Sequence, residues 1–174
     1  MTSTAVRTHC IDASALVKYY VNEPGSDVLR EYLRGQANWY TTPFCLFEAI
    51  SVLKSKAKNK NRRDKITEDE YPNAGFTMLA DFDARSKHLP DLDIITPLVF
   101  SQVQSLCRKY PKIDFSDAFQ ILSVGKGYFS GIVGDSQTVL ITADAELAKA
   151  AELEGLKVKL LGSRSGTRRW EWLS

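Results

Sequence analysis

The chain has 174 residues, a hydrophobic fraction of 44% and a net charge of +2. These values fit one globular domain with a real core, and so small a charge does not by itself point to nucleic acid. No apolar run approaches the roughly 18 residues of a membrane span, and Met1 to Arg7 lacks the apolar core of a signal peptide, so a soluble, cytoplasmic protein is expected.

Val6 to Ile11 reads as a short strand that stops at Asp12, and Ala13 to Tyr20 as a helix. Pro24-Gly25-Ser26-Asp27 is a turn with capping residues, leading to a helix near Val28 to Leu33 that Gly35 ends. Trp39 to Thr42 predicts a second short strand. Pro43 suits the first turn of the next helix. Its segment Phe44 to Leu53 is apolar almost all round, apart from Glu48 and Ser51, and is expected to be buried on most sides. The chain then turns basic: Lys54, Lys56, Lys58, Lys60, Arg62, Arg63 and Lys65 meet only Asp64. From Glu68 to Asp93 acids predominate, around one helix at about Glu70 to Ser86.

Leu92 to Thr96 predicts a strand, and Leu98 to Tyr110 a helix with Val99, Val103 and Leu106 as its stripe. Asp114-Phe115-Ser116-Asp117 opens another helix. Thr138 to Thr142, rich in β-branched residues, is the clearest strand signal. Asp144 to Glu154 follows as a helix, and Val158 to Leu161 as the last strand. The alternation implies a three-layer α/β/α fold around a central, mostly parallel sheet of four to five strands. Residues 1–174 read as a single domain, with a charged helical insertion at about 58–91 and a basic, aromatic tail at 164–174. Cys10, Cys45 and Cys107 show no metal-binding or disulfide spacing and read as buried small hydrophobes in a reducing compartment.

Four acids, Asp12, Glu48, Asp117 and Asp144, each fall at a strand end or in the first turns of a helix. In an open α/β sheet such positions face one crevice. Carboxylates gathered there repel one another unless a cation lies among them, and a hard divalent ion with oxygen ligands points to phosphate chemistry. Each residue also has a plainer reading. Asp12 suits an N-cap, with Ser14 beside it to hold the carboxylate or a water. Asp144 equally suits an N-cap, with the Thr142 hydroxyl on the same edge. Asp117 suits the third helical position behind an Asp114 cap, and Asp135 suits a turn. Glu48 is hardest to explain structurally, because an unpaired carboxylate in an apolar helix costs several kcal/mol.

The segments Ile11-Asp12-Ala13-Ser14-Ala15-Leu16-Val17-Lys18-Tyr19-Tyr20, Glu48 in its apolar helix, Ser116-Asp117-Ala118-Phe119-Gln120-Ile121 and Leu140-Ile141-Thr142-Ala143-Asp144 carry a resemblance. Over roughly Val6 to Leu161 the chain resembles the PIN-domain ribonucleases, most closely the VapC-type toxins of toxin–antitoxin pairs. The resemblance implies that Asp12, Glu48, Asp117 and Asp144 form an acidic quartet, with Ser14 and Thr142 as hydroxyl neighbours. It also implies a Mg²⁺- or Mn²⁺-dependent endoribonuclease, a homodimer, and an antitoxin partner that inserts a segment across the active-site groove. The insertion and the tail depart from a minimal member of that family.

On this reading Asp12, Glu48 and Asp117 hold the essential metal, and Asp144 completes the site or places a second ion. No protein nucleophile is needed, and His9 and His88, far apart in the chain, argue against paired-histidine catalysis. Lys54, Lys56, Lys58, Lys60, Arg62 and Arg63 are candidate RNA guides outside the acidic pit, or else a solvated helix end. The tail Arg168-Arg169-Trp170-Glu171-Trp172 suits base stacking or, the favoured reading, packing on the body or on an antitoxin. Competing functions are a receiver-like phospho-acceptor domain, a non-catalytic RNA- or protein-binding PIN-like module, and a DNA or flap nuclease. The first lacks the acidic pair expected before Asp12, the second has all four acids against it, and the third lacks an arch.

Overall fold

The computed structural model describes residues 8–35, 38–58, 66–84, 96–126 and 138–161, together with the backbone of 170–173. At its centre lie β1 (His9–Ile11) and β3 (Val139–Thr142). Every residue of both strands is buried, the condition under which a parallel strand reads as an unbroken apolar run. β2 (Trp39–Tyr40), β4 (Lys157–Leu161) and β5 (Trp170–Leu173) extend the sheet in the order β2-β1-β3-β4-β5. The first four strands are parallel, and β5 runs antiparallel to β4.

Side chains alternate between the faces of a strand, and here the alternation sorts two cores. Ile11, Val139, Ile141 and Leu161 pack under α1 (Ala13–Tyr20), α2 (Ser26–Arg34), α3 (Pro43–Lys58) and α4 (Glu70–Ala84), against Leu16, Leu29, Leu53 and Phe82. Cys10, Leu140 and Val158 pack on the other face under α5 (Pro97–Lys109), α6 (Phe115–Lys126) and α7 (Ala145–Leu153), against Val103, Phe119 and Leu147. Each such leucine contributes about 1.5–3 kcal/mol by leaving water. The expected three-layer arrangement is therefore observed.

Local chemistry explains several boundaries. Gly25 adopts φ +93° ahead of α2, a left-handed conformation that strains other residues, and an added Cβ would stand 3.3 Å from Leu161. Thr67 and Glu70 form a reciprocal capping box at the start of α4: the Thr67 amide donates to Glu70 (2.7 Å) and the Glu70 amide to Thr67 Oγ1 (3.1 Å).

The expectation that Phe44 to Leu53 is buried on most sides holds except along one stripe: Cys45, Leu46, Ala49 and Leu53 are buried, Phe44, Glu48, Ile50 and Val52 partly so, and Phe47 and Ser51 are exposed. Two expectations are corrected. Cys107 is only half-buried near the end of α5, unlike Cys10 and Cys45. Val158 to Leu161 is not the last strand, because residues 170–173 of the tail pair with β4 along their backbone, from Leu173 opposite Val158 to Trp170 opposite Leu161. The strand expected at Leu92 to Thr96 lies outside the described residues except for Thr96, which stands at the N-cap position of α5 without a side-chain cap hydrogen bond. Asp135, His88 and residues 164–169 also lie outside them.

Candidate active site

The parallel register sets Ile11 beside Ile141, so the next residue on each strand meets its neighbour at the sheet's carboxyl edge. The Asp12 amide continues the ladder onto Ile141 O at 3.0 Å, and Thr142 Oγ1 donates to Asp12 Oδ2 at 2.7 Å. Ser14 Oγ, in the first turn of α1, donates to the same oxygen. Each hydroxyl in turn accepts from the main chain: Thr142 Oγ1 from the Asp144 amide at 2.9 Å, and Ser14 Oγ from the Ala143 amide at 2.9 Å. Those amides occupy the hydroxyls as acceptors, which turns both hydroxyl protons towards Asp12. As a cap Asp12 is weak: the Ser14 amide lies near enough to favour its charged form but makes no full cap hydrogen bond to it, and the two hydroxyls are its firm partners. It is 3% exposed. Burial pushes its carboxyl above the ordinary range despite the two hydroxyls.

Glu48 enters from α3 and is half-buried. Ser116 Oγ donates to its Oε1 at 3.1 Å, and Gln120 Nε2 to its Oε2 at 3.2 Å. Ser116 and Gln120 lie four apart on α6 and so share a face. Burial raises the Glu48 carboxyl, and the charge of Asp12 raises it further. Both partners flank Asp117 in the sequence, and the sequence reading gives neither a role. Their i, i+4 spacing around that residue was the available signal.

Asp114 and Asp117 combine the plainer reading with the chemical one. The Asp117 amide donates to Asp114 Oδ1 at 3.0 Å, and the Asp114 amide to Asp117 Oδ2 at 3.1 Å, closing a capping box on α6. Asp117 nevertheless titrates at about 7. Burial is the main cause, and the charges of Asp114, Asp144 and Asp12 add to it. Asp144 is the exposed N-cap of α7, with its Oδ1 accepting from Glu146 (2.7 Å) and Leu147 (3.0 Å). Asp12, Glu48, Asp117 and Asp144, drawn from four separate parts of the chain, therefore belong to one electrostatic neighbourhood. Among the described residues, none of the four forms an ion pair with Lys or Arg.

Among the described residues no three His, Cys, Asp or Glu side chains are gathered closely enough to hold an ion as they stand. The donor set still fits a hard divalent cation, being carboxylate, hydroxyl and amide oxygen throughout. Gln120 Oε1, beside Glu48 and nearly fully buried, has no hydrogen-bond donor among the described residues. A buried acceptor without a donor is a place that a cation or its water satisfies.

The raised carboxyls carry a stability prediction for the metal-free protein. The native state binds a proton at Asp117 more tightly than the unfolded chain does, between the ordinary 3.8 and about 7. This stabilisation is complete below the lower value and is lost as pH rises through the upper one. The effect is about 1 kcal/mol once solvent screening at a partly exposed site is allowed for. Thermal melts in a chelator should therefore fall by about 2–4 °C between pH 5 and pH 8, and added Mg²⁺ should flatten the profile. A metal-free midpoint that rises over that interval would contradict this.

The basic residues divide. Lys54 and Lys58 are exposed on α3. Lys56 is not an RNA guide: it is 4% exposed, turned inward, and ion-paired with Glu23, which also pairs with Lys18 at 3.0 Å. Lys60, Arg62 and Arg63 lie outside the described residues. His9 is buried at the far end of β1 from Asp12, with Nε2 2.8 Å from the Tyr32 hydroxyl, and takes no part in the acidic site.

A sheet of this order, with acids at its carboxyl edge, defines a class that comparison with known proteins makes explicit. The PIN-domain model matches residues 9–158, and the chain belongs to the PIN-domain family. PIN domains are generally nucleases that act on RNA and use divalent metals. The chain is similar to the crystal structure of PAE2754 from Pyrobaculum aerophilum, with a TM-score of 0.53 and 15% identity over 86% of this chain and 83% of that one. At that identity the likeness speaks for the fold alone. No curated protein matches the sequence. No helix among the described residues is long and apolar enough to cross a membrane.

Proposed function

We propose that this chain is a Mg²⁺- or Mn²⁺-dependent endoribonuclease and the toxin of a toxin–antitoxin pair. The observation that carries the catalytic part is Asp12: buried, gripped by two oriented hydroxyls, and within the electrostatic reach of the other acids. Asp12, Glu48 and Asp117 would hold the ion, with Asp144 completing the set. A divalent cation there supplies charge stabilisation on the phosphate and a more acidic attacking water. The chain's own residues do the positioning. Ser14 and Thr142 fix the Asp12 carboxylate, Ser116 and Gln120 fix Glu48, and the capping box ties Asp117 to the start of α6. Water from solvent would attack phosphorus in line with the P–O3′ bond; that bond breaks, the 3′ oxygen takes its electron pair and a proton and leaves as a 3′-hydroxyl, and the water's oxygen remains on the 5′-phosphate.

The test compares single-stranded RNA and DNA of one sequence in Mg²⁺, in Mn²⁺ and in a chelator. RNA should be cut only when metal is present, with 5′-phosphate ends. Cleavage that survives chelation, or equal cutting of the DNA, would sink the reading. The toxin role, the homodimer and the antitoxin rest on family resemblance. Expression of the chain should arrest growth, and co-expression of a protein encoded beside it should relieve the arrest; unimpeded growth on expression alone removes this part.

A further inference from the structure

We propose that Gln120 is a positioning residue for the ion: its side-chain amide cross-links Asp12 and Glu48 and holds the two carboxylates converged for a divalent cation. This rests on the ribonuclease reading and deepens its ion site. Gln120 lies on α6, 2% exposed, between the buried Phe119 and Ile121. Its Nε2 donates to Glu48 Oε2 at 3.2 Å. The same amide lies near enough to Asp12 to favour its charged form. Both hydroxyls on Asp12 go to Oδ2, which leaves Oδ1 for another donor. A carboxamide nitrogen carries two protons that point apart, so one group can serve both acids.

Packing does not explain the amide. Its Oε1 has no donor among the described residues, and a buried carbonyl oxygen left so opposes folding. A leucine or methionine would fill the space without that cost. What the amide adds is at Nε2, towards the acids. Glu48 comes from α3 and Asp12 from the end of β1, and the charge of Asp12 disfavours that of Glu48. A Lys or Arg between them would draw them together, but its own charge would repel the ion. A neutral amide draws them together through hydrogen bonds to charged oxygens and leaves their negative charge for the ion. Its place on a helix, between two buried side chains, keeps it fixed.

The test uses Gln120→Met, which keeps the stem and removes the amide. Mn²⁺ affinity is read without RNA, from the electron paramagnetic resonance of the free ion. Gln120→Met should bind Mn²⁺ about tenfold more weakly. Its metal-free melting point should stay within about 2 °C of wild type, because the lost donor and the lost orphan oxygen offset each other. RNA cleavage should need about tenfold more metal to reach half its maximum. In chelator, the Gln120 side-chain amide signal in nitrogen-resolved NMR, assigned by its absence in Gln120→Met, should shift on Glu48→Gln and also on Asp12→Asn. Wild-type Mn²⁺ affinity in Gln120→Met overturns the proposal. A fall of several degrees in its metal-free melt overturns it too, by making the side chain part of the fold. So does an amide signal that Asp12→Asn leaves in place, which would confine Gln120 to Glu48. If wild type binds Mn²⁺ without cutting RNA and Gln120→Met binds it more weakly, the cross-link stands and the ribonuclease reading falls. If wild type cuts RNA with metal and Gln120→Met binds Mn²⁺ equally well, only the cross-link falls. If wild type binds no Mn²⁺, both fall.

Discussion

Asp12→Asn should lower metal-dependent RNA cleavage about a thousandfold, or roughly 4 kcal/mol in barrier, while the metal-free protein melts no lower than wild type. The two halves have one cause. The Asp12 carboxylate is almost completely buried, and burial already drives it towards its neutral form. An asparagine keeps an oxygen for the Thr142 and Ser14 hydroxyls and removes only the charge, whose desolvation opposed folding. Without metal the substitution is neutral or mildly stabilising. With metal it deletes the anchoring anion of the site. Cleavage by a folded variant within a few-fold of wild type would remove Asp12 from the chemistry. A fall of several degrees in the metal-free melting point would mean that the residue serves the fold instead.

The largest effect on stability alone is expected at Lys56. Its ammonium lies inside, 4% exposed, against a Glu23 carboxylate that is 7% exposed. Truncation to alanine removes a buried stem and one of the two cations that neutralise Glu23. Lys18 remains, 3.0 Å away and 20% exposed, so the cost falls below that of a fully stranded charge. About 3 kcal/mol is expected, or roughly 6–12 °C in a chain of this length. Lys56→Met refills the stem, and Glu23→Gln with Lys56→Met removes both charges together. The double variant should recover most of the loss, because an apolar replacement of a buried ion pair is often neutral or better. Calorimetric melts of the singles and the double close the cycle. A Lys56→Ala protein that melts within about 2 °C of wild type would show that the pair contributes little.

Much of this architecture was legible in the sequence. The β-branched run ending at Thr142, the capping pattern around Asp114 and Asp117, and the apolar stripe of α5 each dictate their structure locally. The acids at strand ends were legible for the same reason, since strand ends and caps are local signals. What escaped depends on distant partners. Lys56 stood in a basic run, yet the buried stripe Cys45, Ala49, Leu53 continues onto it at helical spacing, and its ion pair with Glu23, from a distant loop, helps make that burial tolerable. β5 escaped because its strand character comes from pairing with β4 rather than from its charged, aromatic composition. Gln120 and Ser116 escaped because a hydrogen bond to Glu48 joins residues 72 and 68 positions apart.

The side chain of Asp144 is already at work where it stands. One of its oxygens holds two amides at the start of α7, and pulling it inward onto an ion would unfasten that turn, at a cost of about 0.5–2 kcal/mol. Its cheaper contribution is from a distance, as a fixed negative charge or through an intervening water. On the proposed reading the site would then have a graded member: three acids to grip the ion, and a fourth that acts on them as a fixed charge without leaving its post.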